Sequence, residues 1–510
     1  MSIQQAPDNS VGVSLPVMSP ALLDEEVVNV EHVSRKATRG AAALAVRQVL
    51  VYGSNIGGSI VLARLLPAAE FGYYSIVIFA VNFLNIFGGT GFASNLIRTP
   101  HEPTLEEKRA VFTSQELIVS LIFSAVWMIA PRLGGWYHLD ARGSLFFRLM
   151  GLGLLLTSFM VIPQVQMERK LDFDKLAMIE VCQAVVFNVF AILLALKGLG
   201  YISFAAALVL RTVTGAVMAL VLSPWRAGLR LRSSGIAEHL YFGFALQIGQ
   251  LLAVARDSLT PVFVSLYLGP ADVGFITWAG FVAGASVLII VPLQRLYLPM
   301  FAQVQGNKIE LARFAGRVMW AVNTVCAPLT LMTLALLHPI VTVVFGAKWL
   351  SAIPLVYLFA SGNLFIPTAT ALLAMLNAIG KARTTLLFTA LGMTLVWGVG
   401  IPMIVKFGSL GFGYTVAATQ LLNFTLYVYV WKEIGINVIP SFWPNWPFAT
   451  LAGAAVYAVC RVHPPAHLVA LVAYGVVGVA LYAAMMWFTS SARIRAFLEL
   501  AKASRKSAPA

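Results

Sequence analysis

Residues 200–223 read GYISFAAALVLRTVTGAVMALVLS, and Arg211 is the only charged side chain among them. A helix needs about 20 consecutive, mostly apolar residues to cross the hydrocarbon core of a bilayer. The stretch therefore predicts a transmembrane helix that carries one cation near its middle.

The composition of the whole chain extends this prediction. The 510 residues are 59% hydrophobic and only 11% charged, whereas a soluble domain carries about 25% charged residues. Further segments have the length and apolarity of a membrane span. The predicted spans cover residues 41–66, 71–97, 111–131, 146–163, 176–196, 200–223, 241–267, 272–298, 314–337, 352–379, 384–405, 410–431, 447–461 and 467–489. We therefore expect an all-α polytopic membrane protein with about fourteen transmembrane helices.

The Lys and Arg residues predict the orientation of the chain. The net charge is +14, and the cations concentrate in alternate loops, for example Lys308, Arg313 and Arg317 between two predicted spans. Cytoplasmic loops of membrane proteins collect Lys and Arg. We therefore interpret the charge as orientation, with both termini cytoplasmic, and expect no nucleic-acid partner.

A short repeat divides the predicted spans into two sets. Leu66–Tyr73 (LPAAEFGY) matches Leu268–Phe275 (LGPADVGF) at an offset of 202 residues. Six spans separate the copies, so the halves are predicted to be parallel repeats about an axis along the membrane normal, with a central cavity between them. The predicted units are a cytoplasmic tail over 1–40, an N-lobe over 41–223, a basic cytoplasmic linker over 224–240, a C-lobe over 241–431, a helix pair over 432–489 and a basic cytoplasmic tail over 490–510.

Four motifs resemble those of a known family. They are LARLLPAAEFGYY over Leu62–Tyr74, Asp257 followed by YLGPADVG over Tyr267–Gly274, VFGAKWLSAIPL over Val344–Leu355, and LNAIGKA over Leu376–Ala382. In this order they are similar to motifs of the polysaccharide transporter family. That family includes the O-antigen (Wzx-type) flippases of the multidrug/oligosaccharidyl-lipid/polysaccharide (MOP) superfamily.

The resemblance implies a function in surface polysaccharide biosynthesis. Members of the family move a lipid-linked oligosaccharide, an isoprenoid diphosphate that carries a sugar repeat unit, from the inner to the outer leaflet of the bacterial inner membrane by alternating access. Expected partners are this lipid, the bilayer, and a polysaccharide polymerase with its export machinery. We expect no enzyme activity and no cofactor.

Four arginines within predicted spans are candidates for binding the diphosphate. A membrane-embedded Arg costs about 2.5–3.5 kcal/mol on insertion scales, so it is functional, paired or snorkelling. Its planar fork suits phosphate oxygens. Arg211 and Arg256 lie deep in spans, whereas snorkelling is the alternative for Arg47 and Arg295 near span ends. The four predict a cationic cavity, with interhelical ion pairs as the alternative for the deep residues.

Other polar residues in the spans suggest further contacts. Asp257 is interpreted as the deep carboxylate that a proton- or sodium-coupled step would use. Amide side chains suit sugar hydroxyls, and also hydrogen bonds between helices, which is their commoner use. The candidate amides are Asn55, Asn82, Asn85, Gln247 and Gln250.

Enzyme chemistry has little support. The chain contains neither a P-loop nor an HExxH motif. Cys182, Cys326 and Cys460 lie far apart in apolar segments, so no metal site or disulfide framework is predicted. One alternative is a cation-coupled multidrug antiporter of the same superfamily, which would prefer an anionic cavity. The other is a membrane polysaccharide polymerase or ligase, which would need a large outer loop.

Overall fold

The computed structural model describes residues 47–88, 96, 102–137, 139–230 and 263–506. Within these ranges, the side chains of residues 78, 80–88, 289, 292, 295, 442 and 490–506 are outside the description. The described chain is almost wholly helical, which confirms the predicted all-α class.

The first part of the chain, residues 47–230, is called the N half. Its helices are α1 over residues 47–65, α2 Ala68–Gly88, α3 Leu105–Trp136, α4 Gly143–Ser158, α5 Val161–Arg169, α6 Phe173–Leu196 and α7 Ile202–Leu222. Helices α3 and α4 pack together, α6 packs on α7, and α7 also contacts α4. The predicted span 146–163 corresponds to α4 and the first residues of α5, and the chain turns between these two helices at Phe159 and Met160.

The second part, residues 263–434, is called the C half and is followed by a C-terminal helix pair. The longer helices are α8 Pro270–Ala285, α9 Val291–Val304, α10 Lys308–Ala335, α11 Ile353–Ala360, α12 Ile366–Ala378, α13 Ala382–Phe407, α14 Ser409–Tyr429, α15 Asn445–Val462 and α16 Leu468–Lys506. Helix α16 continues from the predicted span 467–489 into the segment predicted as a basic tail. Short helical turns connect α10 to α11 over residues 337–352.

Prolines and capping residues explain where several helices begin. Pro270, Pro354 and Pro367 occupy the first two positions of α8, α11 and α12, where an N–H has no helical acceptor to lose. Thr104 and Asn307 cap α3 and α10 by accepting hydrogen bonds from free backbone N–H groups. These caps stand 203 residues apart, close to the offset of the repeat.

Eight described segments are long and apolar enough to cross a bilayer, judged by length and composition. They are Leu105–Trp136, Gly143–Arg169, Phe173–Leu196, Ile202–Leu222, Lys308–Ala335, Ala347–Ala378, Ala382–Phe407 and Leu468–Thr489. The chain is thus a multi-pass membrane protein. The number fourteen stays a prediction, because most of the predicted span 241–267 lies outside the described residues.

Two large hydrophobic clusters hold the helices together. The first runs from α1, α2, α4, α6 and α7 into α8, α11 and residues 337–352, so it joins the two halves. Trp278 and Trp349 lie fully buried in it. The second cluster packs α9, α10, α12 and α14 with the C-terminal pair, which places that pair against the C half.

Inside the N half, α1 and α6 approach closely at Gly58 and Asn188. A Cβ added to Gly58 would overlap the Asn188 side chain, so only glycine permits this spacing. The Asn188 amide donates to Ser54 Oγ at 3.2 Å and to Asn55 Oδ1 at 3.0 Å across the helix boundary, and to the Ala184 carbonyl within α6. This network fixes the register of the two helices.

Replacing Asn188 with alanine should therefore destabilise the N half. Hydrogen bonds between membrane helices contribute about 0.6 kcal/mol on average and up to roughly 1.7 kcal/mol, so Asn188→Ala should lower the free energy of unfolding in detergent by a value in that range or slightly above. Thr394→Ala is the control, since within the described residues that hydroxyl bonds only the Ala390 carbonyl of its own helix. Equal unfolding midpoints for the two variants would contradict this account.

Candidate functional site

The two copies of the repeat touch each other where α2 and α8 cross. A Cβ added to Gly72 would overlap the Pro270 carbonyl oxygen, and one added to Gly274 would overlap the Ala68 carbonyl oxygen. Gly72 and Gly274, like Ala68 and Pro270, stand 202 residues apart. The contact is therefore reciprocal, as a local twofold axis between the two turns would produce. Neither glycine tolerates a side chain while the helices are this close.

The loop before α11 forms hydrogen bonds with the end of α1, next to this crossing. The Trp349 indole donates to the Ala63 carbonyl at 2.9 Å, and the Lys348 ammonium donates to the carbonyls of Arg64 at 3.0 Å and Leu66 at 2.6 Å. The last carbonyls of a helix have no partner within it. Donors from the C half therefore satisfy the end of a helix in the N half. We call the contact formed by Ala63–Gly72, Pro270–Gly274 and Lys348–Trp349 the closed end.

Aromatic rings fill the space beneath the closed end. Trp349 stacks on Trp278 with ring centroids 5.0 Å apart, and Phe71 and Phe275 meet it edge-on at 5.4 and 6.0 Å. Phe345 meets the Trp278 ring edge-on at 5.2 Å. Such pairs contribute roughly 0.5–1.5 kcal/mol each beyond the area they bury. The closed end and these rings together form an apolar plug between the halves. Three of the four motifs contribute to it, because Pro270 and Gly274 lie at the crossing and Phe71 and Trp349 among the rings.

Charged side chains border this plug. Glu70 on α2 lies within electrostatic reach of Arg142 and Lys348. Asp140 lies in the connection between α3 and α4. The hydroxyl of Tyr201, directly before α7, donates a hydrogen bond to its carboxylate, and the Arg142 backbone N–H donates to the same carboxylate at 2.9 Å. The hydrogen bond from Tyr201 is the main reason why the pKa of Asp140 lies below its usual value, and the hydrogen bonds and charge of Arg142 lower it further. Asp140 therefore stays ionised as the pH falls and keeps its ion pair with Arg142 at 3.0 Å.

Opening of the closed end can be forced by a side chain at the crossing. Gly72→Ala should separate α2 from α8, because the added methyl group meets backbone that cannot rotate away. The readout is the rate at which a membrane-impermeant maleimide labels Ser75→Cys, a position that is buried directly below the crossing. We expect labelling to accelerate several-fold.

Gly284→Ala is the matched control for this substitution. Gly284 also lies in α8, and a Cβ there meets nothing within contact distance in the described structure. If Gly72→Ala labels no faster than Gly284→Ala, the crossing does not close this end.

A second group of polar side chains lies inside the N half. Arg47 on α1 donates to Glu180 on α6 at 2.8 Å, and the Arg47 side chain is only 13% exposed while that of Glu180 is 44% exposed. Arg47 also donates to Gln48 at 3.2 Å. The carboxylate therefore neutralises one cation and keeps part of its surface open.

Arg211 lies on the helix next to this pair. Its side chain is partly accessible, and Tyr74 and Glu180 are near enough to interact with its charge. Within the described part of the chain its guanidinium makes no hydrogen bond or ion pair, although its carbonyl accepts from the Gln183 amide at 3.5 Å. Arg47 is therefore paired with Glu180, whereas Arg211 lies near the same carboxylate without pairing with it.

The polar residues of α6 bond to two neighbouring helices. Glu180 and Asn188 bond to α1, and Gln183 bonds to α7. A Cβ added to Gly215 on α7 would overlap the Gln183 amide, so α7 packs tightly there. Helix α6 therefore joins α1 to α7 through polar contacts.

Three of the predicted site residues have described side chains: Arg47, Asn55 and Arg211. The structure places Arg47 and Arg211 around Glu180, whereas the Asn55 oxygen accepts from Asn188, which favours the helix–helix interpretation for that amide. Asn82 and Asn85 lie on α2 and Arg295 lies on α9, with side chains outside the description. The other predicted residues, Gln247, Gln250, Arg256 and Asp257, lie outside the described residues.

Two carboxylates were missed by the sequence interpretation, which treated Asp257 as the deep one. Glu180 lies in α6, and Glu116 lies in α3, where the Ser158 hydroxyl donates a hydrogen bond to it. Both fall inside predicted spans, so their position alone could have found them. What the sequence could not show is that Glu180 faces Arg47, a residue 133 positions away.

The Arg47–Glu180 pair should behave as a coupled unit. Removing one partner leaves an uncompensated charge in a poorly solvated place. The destabilisations caused by Arg47→Met and by Glu180→Gln alone should therefore add up to more than the destabilisation caused by the double variant. The coupling energy from a double-mutant cycle on unfolding in detergent should lie at about 0.5–3 kcal/mol. The exposed pair Arg230–Glu106, at 2.7 Å, is the control and should couple by less than about 1 kcal/mol. Equal coupling in both pairs would refute a special environment for Glu180.

The fold is shared with solved membrane transporters. The lipid II flippase MurJ in its inward closed conformation aligns with a TM-score of 0.66, covering 88% of this chain and 99% of that one at 12% identity. A multidrug resistance MATE family transporter of the MOP superfamily, inward-facing, aligns with a TM-score of 0.55, covering 84% of this chain and 100% of that one at 15% identity. The fold is therefore of the MOP type.

The sequence gives the narrower assignment. Residues 61–354, more than half of the chain, match the family described as polysaccharide biosynthesis protein. The chain belongs to this family, and the resemblance seen in the four motifs is confirmed.

Two curated relatives are similar over most of their length. The succinoglycan biosynthesis transport protein ExoT of Rhizobium meliloti (strain 1021) is 23% identical over 469 residues, which are 88% of this chain and 92% of that protein. The lipopolysaccharide biosynthesis protein WzxC of Escherichia coli (strain K12) is 23% identical over 371 residues, which are 69% of this chain and 72% of that protein. Both names concern the making or transport of surface polysaccharides.

Proposed function

We propose that this protein is a flippase that moves a lipid-linked oligosaccharide, carried on an isoprenoid diphosphate, from the inner to the outer leaflet of a bacterial inner membrane. The product would supply a surface polysaccharide. The observation that carries the proposal is the presence of two guanidinium groups inside the N half, where Arg47 is bonded to Glu180 and Arg211 lies near the same carboxylate. A diphosphate is the part of such a lipid that needs cations inside the membrane.

The closed end supports alternating access. The positive-inside rule assigns the turns at Ala68 and Pro270 to the outer face, so a plug there corresponds to a cavity sealed from the outside. Rocking of the two halves about the crossing of α2 and α8 would break the reciprocal glycine contact and the Lys348 and Trp349 hydrogen bonds together. Because these contacts lie on one small surface, they can open as a unit.

Glu180 has a defined part in this proposal. In the absence of substrate it balances Arg47 and lies near Arg211. An entering diphosphate would compete with Glu180 for both guanidinium groups, since Arg binds phosphate and carboxylate through the same paired donors. Part of the binding energy would thus be used to rearrange α1 against α6. Asp257 remains the carboxylate proposed for a proton- or sodium-coupled step.

The cations of the interior also bear on the alternatives to this function. An antiporter for cationic drugs needs an anionic cavity, whereas the described interior of the N half places the guanidinium groups of Arg47 and Arg211 beside Glu180. A polymerase or ligase needs a catalytic loop outside the membrane, and the described connections between α1 and α2, α3 and α4, and α6 and α7 are a few residues long. We further propose that both termini are cytoplasmic and that a polysaccharide polymerase receives the product at the outer leaflet.

A leaflet assay tests the proposal. In cells that lack the gene, lipid-linked repeat units should accumulate on the cytoplasmic leaflet, out of reach of an impermeant periodate or lectin probe. Arg211→Ala should reproduce most of this accumulation at normal protein level, because the diphosphate loses one of the two guanidinium groups that lie beside Glu180.

The control for Arg211→Ala is Arg132→Ala, which removes an exposed cation near the far end of α3 and should restore normal transport. Accumulation of unpolymerised units on the outer leaflet would overturn the proposal and favour the polymerase alternative. So would full transport by Arg211→Ala.

A further inference from the structure

A cavity of about 260 Å³ lies inside the N half, apart from the closed end and from the Arg47–Glu180–Arg211 group. Its walls come from the starts of α3 and α6, the end of α5, and the residues that follow α7. Among the residues that the structure describes, its lining includes none of α1, α2 or the C half. In this part of the chain the cavity is therefore separate from the contact between the two halves.

The lining of this cavity is strongly charged. Lys108, Arg169, Lys170 and Lys175 contribute four cations, against the carboxylates of Glu102 and Asp172. A cavity with two more cations than anions attracts an anion of compact shape. Its volume is below the roughly 300–1,000 Å³ of sites for drug-sized ligands, so it suits a single head group better than a sugar chain.

Several of these charges already have partners. Lys175 pairs with Asp172 at 3.0 Å, and the Arg169 guanidinium donates to the Leu96 carbonyl. Among the described residues, the ammonium groups of Lys108 and Lys170 make no hydrogen bond or ion pair. Lys108 is half-buried on the first turn of α3, and Lys170 is exposed at the rim. Lys108 at the wall of the cavity and Lys170 at its mouth are therefore available to donate hydrogen bonds to an anion.

The backbone at the mouth is held in an unusual conformation. Leu171 has φ of 56°, and no other non-glycine residue in the described chain has a positive φ. A leucine in this region costs energy, because its Cβ crowds the next carbonyl. The turn is closed by hydrogen bonds from Leu171 N–H to the Glu168 carbonyl at 3.1 Å and from Asp172 N–H to the Met167 carbonyl at 2.9 Å. This tight turn brings Arg169 and Lys170 to the same cavity as Lys175.

The cavity lies at the end of the bundle opposite the closed end. Helix α3 begins beside it at Leu105 and ends near the Asp140–Arg142 group after 32 residues, which is about 48 Å at 1.5 Å per residue. The positive-inside rule assigns this basic end to the cytoplasmic surface. Anionic phospholipids present their phosphates there, and basic pockets between transmembrane helices on this side bind such head groups.

We infer that this cavity binds a phosphate group, with Lys108 and Lys170 as its principal donors and an anionic membrane phospholipid as the source that its position favours. A soluble phosphate has the same chemistry and could enter from the cytoplasm. Bound phosphate would join the starts of α3 and α6 to the end of α5, which lie on different helices of the N half. The inference does not rest on flippase activity, and a failed leaflet assay would leave it unaffected.

Native mass spectrometry of the full chain tests the inference. The purified protein is exposed to phosphatidylglycerol or to phosphatidylcholine, and separately titrated with inorganic phosphate and diphosphate by calorimetry. Each Lys near a membrane surface contributes about 1 kcal/mol toward an anionic lipid, so Lys108→Gln/Lys170→Gln should weaken binding roughly 10–30-fold. Lys197→Gln/Arg132→Gln, which removes two exposed cations elsewhere, should bind as the unsubstituted protein does.

The choice of ligands distinguishes a lipid phosphate from a soluble phosphate, and an arginine variant controls for misfolding. Loss of phosphatidylglycerol binding in the glutamine variant assigns the site to lipid, and loss of phosphate or diphosphate binding alone assigns it to a soluble anion. Lys108→Arg/Lys170→Arg keeps the charge and should retain binding, so a defect confined to the glutamine variant is not a folding defect. Undiminished binding of all three anions by the glutamine variant would overturn the inference, and so would absence of binding by the unsubstituted protein.

Discussion

The crossing of α2 and α8 without intervening side chains is the constraint on which the rest of the structure depends. At Gly72 and Gly274 each helix meets a backbone carbonyl of the other. Close approach of this kind is what small residues provide in membranes, where association relies on packing because lipid offers no hydrophobic drive. The crossing then brings the loop before α11 within reach of the end of α1, and Lys348 and Trp349 satisfy carbonyls that would otherwise lack partners.

The closed end therefore combines three kinds of contact that depend on one another. The glycine crossing sets the distance, the hydrogen bonds from Lys348 and Trp349 need that distance, and the stacked rings of Trp278 and Trp349 fill the space that remains. Separation of the two helices would break the hydrogen bonds and expose the rings at once. A contact of this kind favours two arrangements over a continuum, because packed interfaces are bistable.

The interior of the N half answers a different physical problem. Arg47 and Arg211 are costly within a membrane, and Glu180 reduces that cost by pairing with Arg47 and lying near Arg211. Glu180 is partly exposed while Arg47 is largely buried. In the proposed function, a competing anion would displace the carboxylate rather than the cation. The basic cavity near Lys108 lies at the opposite end of the N half from the plug, and Lys175 on its wall belongs to α6, the helix that carries Glu180.

The sequence by itself determined the membrane class, the approximate spans, the repeat at Leu66 and Leu268, and Arg211 as a deep cation. These properties depend on residues near in the chain, on the length of apolar runs and on the spacing of like motifs. Only the tertiary structure decided which residues contact one another. Gly72 meets Pro270, and the Trp349 indole donates to the end of α1. Asn55 accepts a hydrogen bond from Asn188, and Glu180 pairs with Arg47. Those partners stand from about 130 to almost 290 positions apart. Apolar periodicity says that a helix crosses the membrane, and it holds no information on which face of that helix meets which neighbour.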